Sequence, residues 1–279
     1  GMDCTLPSTS TWVLGLALAI GTFFSYTPQQ IKIAYKRSSA GISMFYLFLA
    51  LIFNFGQFTT TILSNWGEFL CCQDLTFSQC NELIMNVYQV AVMPVGTTIF
   101  VGLAMLFFDR FPQPGMDKDS HEFYDYLRKA RRNAWLLMLS FCVILLVDFV
   151  ICVTLLVVCG YDSNQVQVYA DLITGIVICS TMVQFWPQIY RTFRNKKSGS
   201  ISSTTLWIQC PGNFIVAAFQ IASGSGWVVW IPFLNVGVNQ LVLLGFVMYY
   251  DCAPSYRRKR KLEALEQTKL IQEDSDDSP

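Results

Sequence analysis

Long apolar runs separated by short polar segments make up most of this chain between residues 11 and 250. Several of the runs approach the ~20 residues that an α-helix needs to cross the hydrocarbon core of a bilayer. They predict seven helices, at residues 11–27, 42–63, 86–108, 133–158, 167–189, 203–223 and 228–250. The pattern therefore predicts an all-α integral membrane protein, in contact with the lipid bilayer on most of its surface.

The basic residues lie in every second polar segment and therefore on one side of the membrane. All 19 Lys and Arg residues fall in the polar segments that follow the first, third, fifth and seventh predicted helix. Cytosolic segments of membrane proteins are rich in Lys and Arg, so this alternation predicts a lumenal N-terminus and a cytosolic C-terminus. Topology thus accounts for the basic residues, and no nucleic-acid partner is needed to explain them.

A proline–glutamine pair occurs twice, 159 positions apart, as Pro28-Gln29 and Pro187-Gln188. The same offset places Asn54 on Asn213, and it crosses an apolar run, a polar segment and the next apolar run without a gap. Such self-similarity at a fixed spacing indicates an internal duplication.

The duplication divides the chain into three helices, one unpaired helix and three more helices. We predict a first three-helix repeat at 11–108 and a cytosolic loop plus linker helix at 109–160, whose basic segment before residue 133 forms a short amphipathic helix on the membrane surface. A second three-helix repeat follows at 166–250, and a cytosolic tail, predicted to be disordered, at 251–279. An odd helix between the units gives both the same orientation, so the repeats are parallel, an arrangement known from transporters.

The duplicated pair, the basic residues after it and the Ile-Ser that closes each polar segment resemble the PQ-loop repeat family of heptahelical membrane transporters. This family includes cystinosin and lysosomal amino acid exporters, with SWEET sugar carriers as more distant members. The resemblance implies that Pro28, Gln29, Pro187 and Gln188 act as hinges that open and close a cytosolic gate. A proline inside a helix removes one backbone hydrogen bond and kinks the helix, and the adjacent Gln amide is expected to supply a replacement donor.

Amide side chains inside the predicted spans suggest a polar pathway. An amide in hydrocarbon is costly unless it is paired or faces a wet cavity. The repeat-related Asn54 and Asn213, together with Gln57, Asn235 and Asn239, are therefore predicted to line a substrate pathway, with interhelical hydrogen bonding as the alternative. Cystinosin-like exporters carry an acidic residue near the position of Asn239, and the amide here argues against proton coupling at that position.

Two acidic residues lie well inside predicted spans, and both are candidates for proton coupling. Asp148 is in the middle of the unpaired helix, and Asp171 is in the lumenal third of the fifth helix. The alternatives are a carboxyl held neutral by burial for Asp148 and solvation at the lumenal end for Asp171.

The remaining motifs exclude several kinds of chemistry. Spacings typical of a metal site, a nucleophile–base pair or a phosphate-binding loop are missing from the sequence, so it predicts a protein that is not an enzyme and has no cofactor. Three cysteines, Cys71, Cys72 and Cys80, follow the second predicted helix on the lumenal side, where disulfides form. Cys71 or Cys72 is expected to pair with Cys80, and spacing does not distinguish the two.

The C-terminal tail contains an acidic di-leucine pattern formed by Glu266, Leu270 and Ile271. Clathrin adaptors that sort proteins to lysosomes or vacuoles read such a pattern when it lies in a cytosolic tail. A charged tail without a sorting role is the alternative.

Together these features predict a transporter that exports a small polar solute, such as an amino acid or derivative, from an acidic organelle to the cytosol by alternating access. Proton coupling is left open. The alternatives are a SWEET-like uniporter of a neutral solute such as a sugar, or a seven-span sorting receptor or scaffold.

Overall fold

The computed structural model describes residues 9–37, 39, 44–108, 121–195 and 203–252. Within these ranges the regular elements are all α-helices, and none of the described residues lies in a β-strand. The helices are α1 (Thr9–Lys36), α2 (Met44–Ser64), α3 (Trp66–Cys71), α4 (Phe77–Leu83), α5 (Met85–Leu106), α6 (His121–Val158), α7 (Asn164–Asn195), α8 (Ser203–Ala222) and α9 (Trp227–Cys252). A long helix covers each of the seven predicted spans, so the predicted fold class is confirmed.

The long helices are apolar enough to lie in a bilayer. Five of the described helices, α2, α5, α6, α7 and α9, have the length and hydropathy needed to cross a membrane. Helix α8 contains a shorter apolar stretch, Leu206–Ala222. Helix α1 has 28 residues, which correspond to roughly 42 Å of helix. The protein is therefore a multi-pass membrane protein.

Each half of the chain forms a three-helix unit in which the third helix lies between the other two. In the first half α5 packs against α1 and α2, and in the second half α9 packs against α7 and α8. The halves meet mainly where α2 packs along α7, with a smaller contact between α1 and α8. At Gly56 of α2, an added Cβ would lie 2.6 Å from Val177 Cγ2 of α7, so this close approach of two helices requires glycine. Small residues at helix contacts are typical of membrane bundles.

The apolar core spans both halves. Its largest cluster joins Phe53 of α2 and Val90 of α5 to Val177 of α7, Ala217 of α8 and Phe233 of α9. All of these side chains are at most 6% exposed. The seam between the halves is therefore tightly packed over part of its length, and it places the polar residues described below.

The two ends of the bundle differ in chemistry. One end carries α3 and α4, which connect α2 to α5, together with a disulfide between Cys72 and Cys80. The disulfide identifies Cys72 as the partner of Cys80, which the sequence had left open. We call this the disulfide end. The opposite end, where α1 ends and α6 begins with Arg128 and its basic neighbours, we call the basic end.

Helix α6 corrects one expectation from the sequence. The basic segment before residue 133 was expected to form a separate short helix on the membrane surface, but it is continuous with the fourth span. The resulting helix has 38 residues, or roughly 57 Å of length, well beyond the ~30 Å hydrocarbon core. Only 6% of its apolar stretch Tyr124–Val158 is buried, so α6 lies at the periphery of the bundle, packed against α2 and α7.

Candidate functional site

Asn54 forms the centre of a polar group in the first half. Its Nδ2 donates to the carbonyl oxygen of Ala50 at 2.8 Å, within α2, and to Thr97 Oγ1 of α5 at 2.7 Å. Its Oδ1 accepts a hydrogen bond from the Tyr26 hydroxyl of α1 at 3.4 Å. The side chain is 3% exposed. One buried amide therefore connects all three helices of the first repeat.

Asn213 forms the same kind of group in the second half. Its Nδ2 donates to the carbonyl oxygen of Gln209 at 2.8 Å, within α8, and to Gln240 Oε1 of α9 at 2.9 Å. The Nε2 of Gln240 in turn donates to Gln209 Oε1 at 3.1 Å. Both repeat-related asparagines thus bond the carbonyl four residues earlier and then reach the third helix of their own half. The equivalence predicted from the 159-residue offset extends to the geometry of these side chains.

A second polar group in the same half joins α9 to α7. The Nδ2 of Asn235 donates to Thr181 Oγ1 of α7. One turn further along α9, the Nδ2 of Asn239 donates to the carbonyl oxygen of Asn235 at 2.8 Å. Both asparagines are half-buried. The structure therefore brings Asn235 and Asn239 together.

Gln57 lies in a different place from the asparagines. It is 0% exposed, and its Nε2 donates across the seam to the carbonyl oxygen of Val229 at the start of α9, at 2.7 Å. Val229 lies at the disulfide end of α9, so Gln57 bonds to the second half at the disulfide end of the bundle.

The first proline–glutamine motif lies inside an uninterrupted helix. Pro28 is exposed and α1 continues to Lys36. The glutamine in this segment that bonds to another helix is the second one, Gln30. Its Nε2 donates to the carbonyl oxygen of Gly96 on α5 at 2.9 Å. Gln29 itself is half-buried. Sequence reasoning missed Gln30, although the doubled glutamine after Pro28 was a signal for it.

The second motif differs from the first at the position that corresponds to Gln30. Pro187 and Gln188 fall within α7, but their side chains lie outside the described residues. The position that matches Gln30 on the repeat offset is Ile189, a partly buried apolar residue packed against the main core cluster. The bond that Gln30 makes to the third helix thus has no glutamine at the corresponding position of the second repeat.

The two intramembrane acids have different surroundings. Asp148 of α6 accepts hydrogen bonds on both oxygens, from Thr59 of α2 at 2.8 Å and from Tyr169 of α7 at 2.7 Å. It therefore links the linker helix to both halves. The Oδ1 of Asp171 on α7 is buried and has no hydrogen-bond partner.

Glu68 in α3 is an acidic group that sequence reasoning did not single out. Burial raises the pKa of its carboxyl from 4.5 to about 7. Its Oε2 is buried without a hydrogen-bond partner. An isolated carboxyl in the short connecting helix gives no sequence signal, since its burial depends on how α3 folds onto the bundle.

The remaining predicted positions add little to the site. Within the described ranges, no group of three or more His, Cys, Asp or Glu side chains could hold a metal ion. The sorting motif Glu266, Leu270 and Ile271 lies outside the described residues.

The chain is similar to a protein family, to a yeast protein and to a solved structure. A model of the PQ loop repeat family matches residues 11–70 and again 169–229. The uncharacterized protein C4C5.03 of Schizosaccharomyces pombe is 27% identical over 272 residues, covering 92% of this chain and 86% of that protein. The solved structure of a eukaryotic SWEET transporter is similar with a TM-score of 0.47 and 11% identity, covering 88% of this chain and 100% of that one. Each family match contains one copy of the proline–glutamine motif and its asparagine, so the chain carries two segments that match the PQ loop repeat, consistent with a PQ-loop family membrane protein.

Proposed function

We propose that this protein is a transporter that moves a small polar solute across the membrane by alternating access. The observation that carries the proposal is the pair of equivalent amide groups around Asn54 and Asn213, one in each repeat. Parallel repeats with their polar residues near the middle of the bilayer are typical of transporters whose substrate binds at the repeat interface.

The amides around these asparagines favour an uncharged or zwitterionic solute. Asn54, Asn213 and Gln240 supply hydrogen-bond donors and acceptors but no net charge, and Asn239 stands where related exporters carry an acid. An amino acid or derivative with a neutral side chain fits these groups. A neutral sugar moved by uniport is the second candidate, and the same amide at Asn239 favours it.

If transport is coupled to protons, Asp171 is the better carrier. Both oxygens of Asp148 already accept hydrogen bonds from neighbouring helices, as expected of a carboxyl that holds helices together. Asp171 has a buried oxygen without a partner. Such an atom gains a bond when a proton or a solute donor arrives, so protonation there has a favourable consequence.

The test is uptake into proteoliposomes with a panel of neutral amino acids and sugars, with and without a proton gradient. Asp171→Asn is expected to abolish the pH dependence of uptake and leave the folded protein intact, and Asp148→Asn is the matched control that keeps it. If neither variant loses the pH dependence of uptake, or if only Asp148→Asn loses it, Asp171 is not the proton carrier. Failure to move any solute, together with specific binding of a protein partner, would favour the receptor or scaffold alternative.

The motif prolines are proposed as hinges near the basic end. Replacing Pro28 with alanine restores a backbone donor and straightens α1, which should slow the change between open and closed states. Gln30→Leu should have the opposite effect, because it releases the hinge from the carbonyl of Gly96. Solute-exchange rates in proteoliposomes measure both changes, and equal rates in the two variants and the wild type would contradict the hinge role.

For location, we propose the lysosomal or vacuolar membrane, with the basic end in the cytosol. The one-sided distribution of Lys and Arg supports the orientation, and the tail motif supports the sorting. Replacing Leu270 and Ile271 together with alanine should move a fluorescently tagged protein to the plasma membrane. An unchanged distribution would mean that adaptors do not read this tail.

A further inference from the structure

Among the described residues, the buried side-chain atoms without hydrogen-bond partners share one location. They belong to Trp12, Gln57, Glu68, Gln89, Asp171 and Ser223. All six residues lie in the half of the bundle nearest the disulfide end, in α1, α2, α3, α5, α7 and just after α8. Buried polar groups in folded proteins are nearly always bonded, so a cluster of exceptions in one region requires an explanation.

Two of these atoms belong to Gln57 and Gln89, which lie together with a third glutamine, Gln220, at the seam between the halves. Gln57, Gln89 and Gln220 are 0%, 2% and 0% exposed. Gln57 of the first half donates to the carbonyl of Val229 in the second at 2.7 Å. Gln220 of the second half donates to Gln89 Oε1 in the first at 3.4 Å. We call these three residues the glutamine cluster, and its two crosslinks close the seam.

The glutamine cluster connects the two halves, but two of its amide atoms have no hydrogen-bond partner. Gln57 Oε1 and Gln89 Nε2 have no partner, while Gln220 also accepts from the Ser225 hydroxyl at 2.9 Å. Rotating the amides does not repair this. With Gln57 reversed, its oxygen would face the Val229 carbonyl oxygen; reversing both Gln89 and Gln220 only exchanges the unbonded nitrogen of Gln89 for its oxygen. One atom of Gln57 and one atom of Gln89, both in the first half, stay unbonded when these amides are reversed.

We infer that the glutamine cluster is the gate at the disulfide end of the pathway. The free-energy cost of burying its unpartnered amide atoms destabilises the closed state and so favours opening. In the closed state each unbonded atom is buried at a cost that opening removes, since water or a hydroxyl or amide group of the solute then bonds to it. The two direct crosslinks oppose opening, so the balance between the states is close. This inference rests on the proposed transport function, because only a pathway needs a gate there.

The test measures opening directly and needs no solute. Thr60 lies one turn from Gln57 on α2 and is 0% exposed, so a Thr60→Cys reporter reacts with a bulky thiol reagent only when the seam parts. The reporter is placed in a background from which the unpaired cysteines, such as Cys152 and Cys210, have been removed. Labelling rates are compared in lipid nanodiscs after each variant has passed size-exclusion chromatography as a folded monodisperse protein.

Gln57→Met, and Gln89→Met combined with Gln220→Met, replace these amides with apolar side chains of similar size. Each variant removes one crosslink together with one unbonded buried atom. Because burying an unbonded polar atom costs more than one net hydrogen bond contributes, each variant is expected to slow labelling about five- to tenfold. Gln167→Met is the control, since Gln167 is an exposed residue of α7 outside the glutamine cluster, and it should not slow labelling. Unchanged or faster labelling in both cluster variants, or equal slowing in the control, would overturn the gate. Uptake by the wild type tests the transport function separately, so failure of one leaves the other standing.

Discussion

Adding a methyl group at Gly96 of α5 should destabilise the protein through a steric clash, although the same change favours the helix itself. A Cβ added at Gly96 would lie 2.9 Å from Tyr26 Cδ2 and 3.1 Å from Tyr26 Cγ on α1. Those atoms are close to the backbone of Tyr26, and its hydroxyl is held by Asn54, so the ring cannot swing aside freely. Gly102 lies on the same helix with nothing within 4 Å of an added Cβ, and it serves as the matched control.

The expected effects have opposite signs. Replacing a glycine inside a helix with alanine favours the helix by about 1 kcal/mol. At Gly102 this is the whole effect, so Gly102→Ala should stabilise the protein by about that amount. At Gly96 the overlap with the ring costs about 1–3 kcal/mol, and displacing the Tyr26 hydroxyl from Asn54 costs about 1 kcal/mol more. Gly96→Ala should therefore destabilise the protein by about 1–3 kcal/mol.

Thermal unfolding of the purified protein in detergent, at one fixed scan rate, measures the difference. A change of 1 kcal/mol corresponds to a shift in Tm of about 2–4 °C for a chain of this size class. The cause is checked by repeating Gly96→Ala in a Tyr26→Ala background, where the double-mutant cycle should remove the penalty. The reasoning fails if Gly96→Ala raises Tm as Gly102→Ala does, or if its cost persists without the Tyr26 ring.

Three further predictions concern the charge and crosslinks of the bundle. Because burial raises the pKa of Glu68 from 4.5 to about 7, the folded state binds more protons than the unfolded state between these values, so stability should fall as pH rises through this window. Glu68→Gln should flatten that dependence in Tm measured at pH 5 and pH 7.5. Tyr169→Phe removes one donor to Asp148 and should lower stability by about 1–2 kcal/mol in thermal unfolding. Replacing Cys72 and Cys80 together with alanine opens a short loop and should cost about 2.5 kcal/mol, measured the same way.

Each of these predictions has its own control. Asp74→Asn changes an exposed acid near Glu68 in sequence and should leave the pH dependence of Tm in place; flattening by both variants would contradict the assignment to Glu68. Tyr88→Phe removes an exposed hydroxyl bond, to Asn81, and should cost less than Tyr169→Phe. For the disulfide, the control replaces the unpaired Cys142 and Cys179 together with alanine and should lower Tm less; equal losses in the two double variants would contradict a stabilising role of the Cys72–Cys80 bond.

Much of the architecture could be predicted from periodicity and spacing. Apolar runs of membrane-spanning length predict helices because backbone groups in lipid must bond within the segment, and the seven long helices lie where the runs do. The offset that aligns Asn54 with Asn213 also predicted that they are equivalent, and each makes an i−4 bond and a bond to a third helix. An asparagine inside hydrocarbon has few other ways to use its donors, which is why pattern alone succeeded here.

Residues that act across helices were harder to predict. Gln30 bonds Gly96 at a sequence separation of 66, and Gln220 reaches Gln89 at a separation of 131. Neither partner is specified by local pattern, because any buried glutamine satisfies the same composition rule. The same limit applied to α6, where the basic segment and the fourth span were read as two elements from their polarity, although their helix propensity is continuous.

The amino-acid sequence was sufficient for the membrane character of the chain, its duplication and the polar residues that belong inside it, because these depend on local hydropathy and on an alignment of the chain with itself. The partners of those residues depended on how the helices pack. Asp148 and Asp171 look alike in sequence, yet one is held by donors from two helices and the other keeps a buried oxygen without a partner. That difference arises from helix rotation and tilt, which are set by packing contacts between segments far apart in the chain.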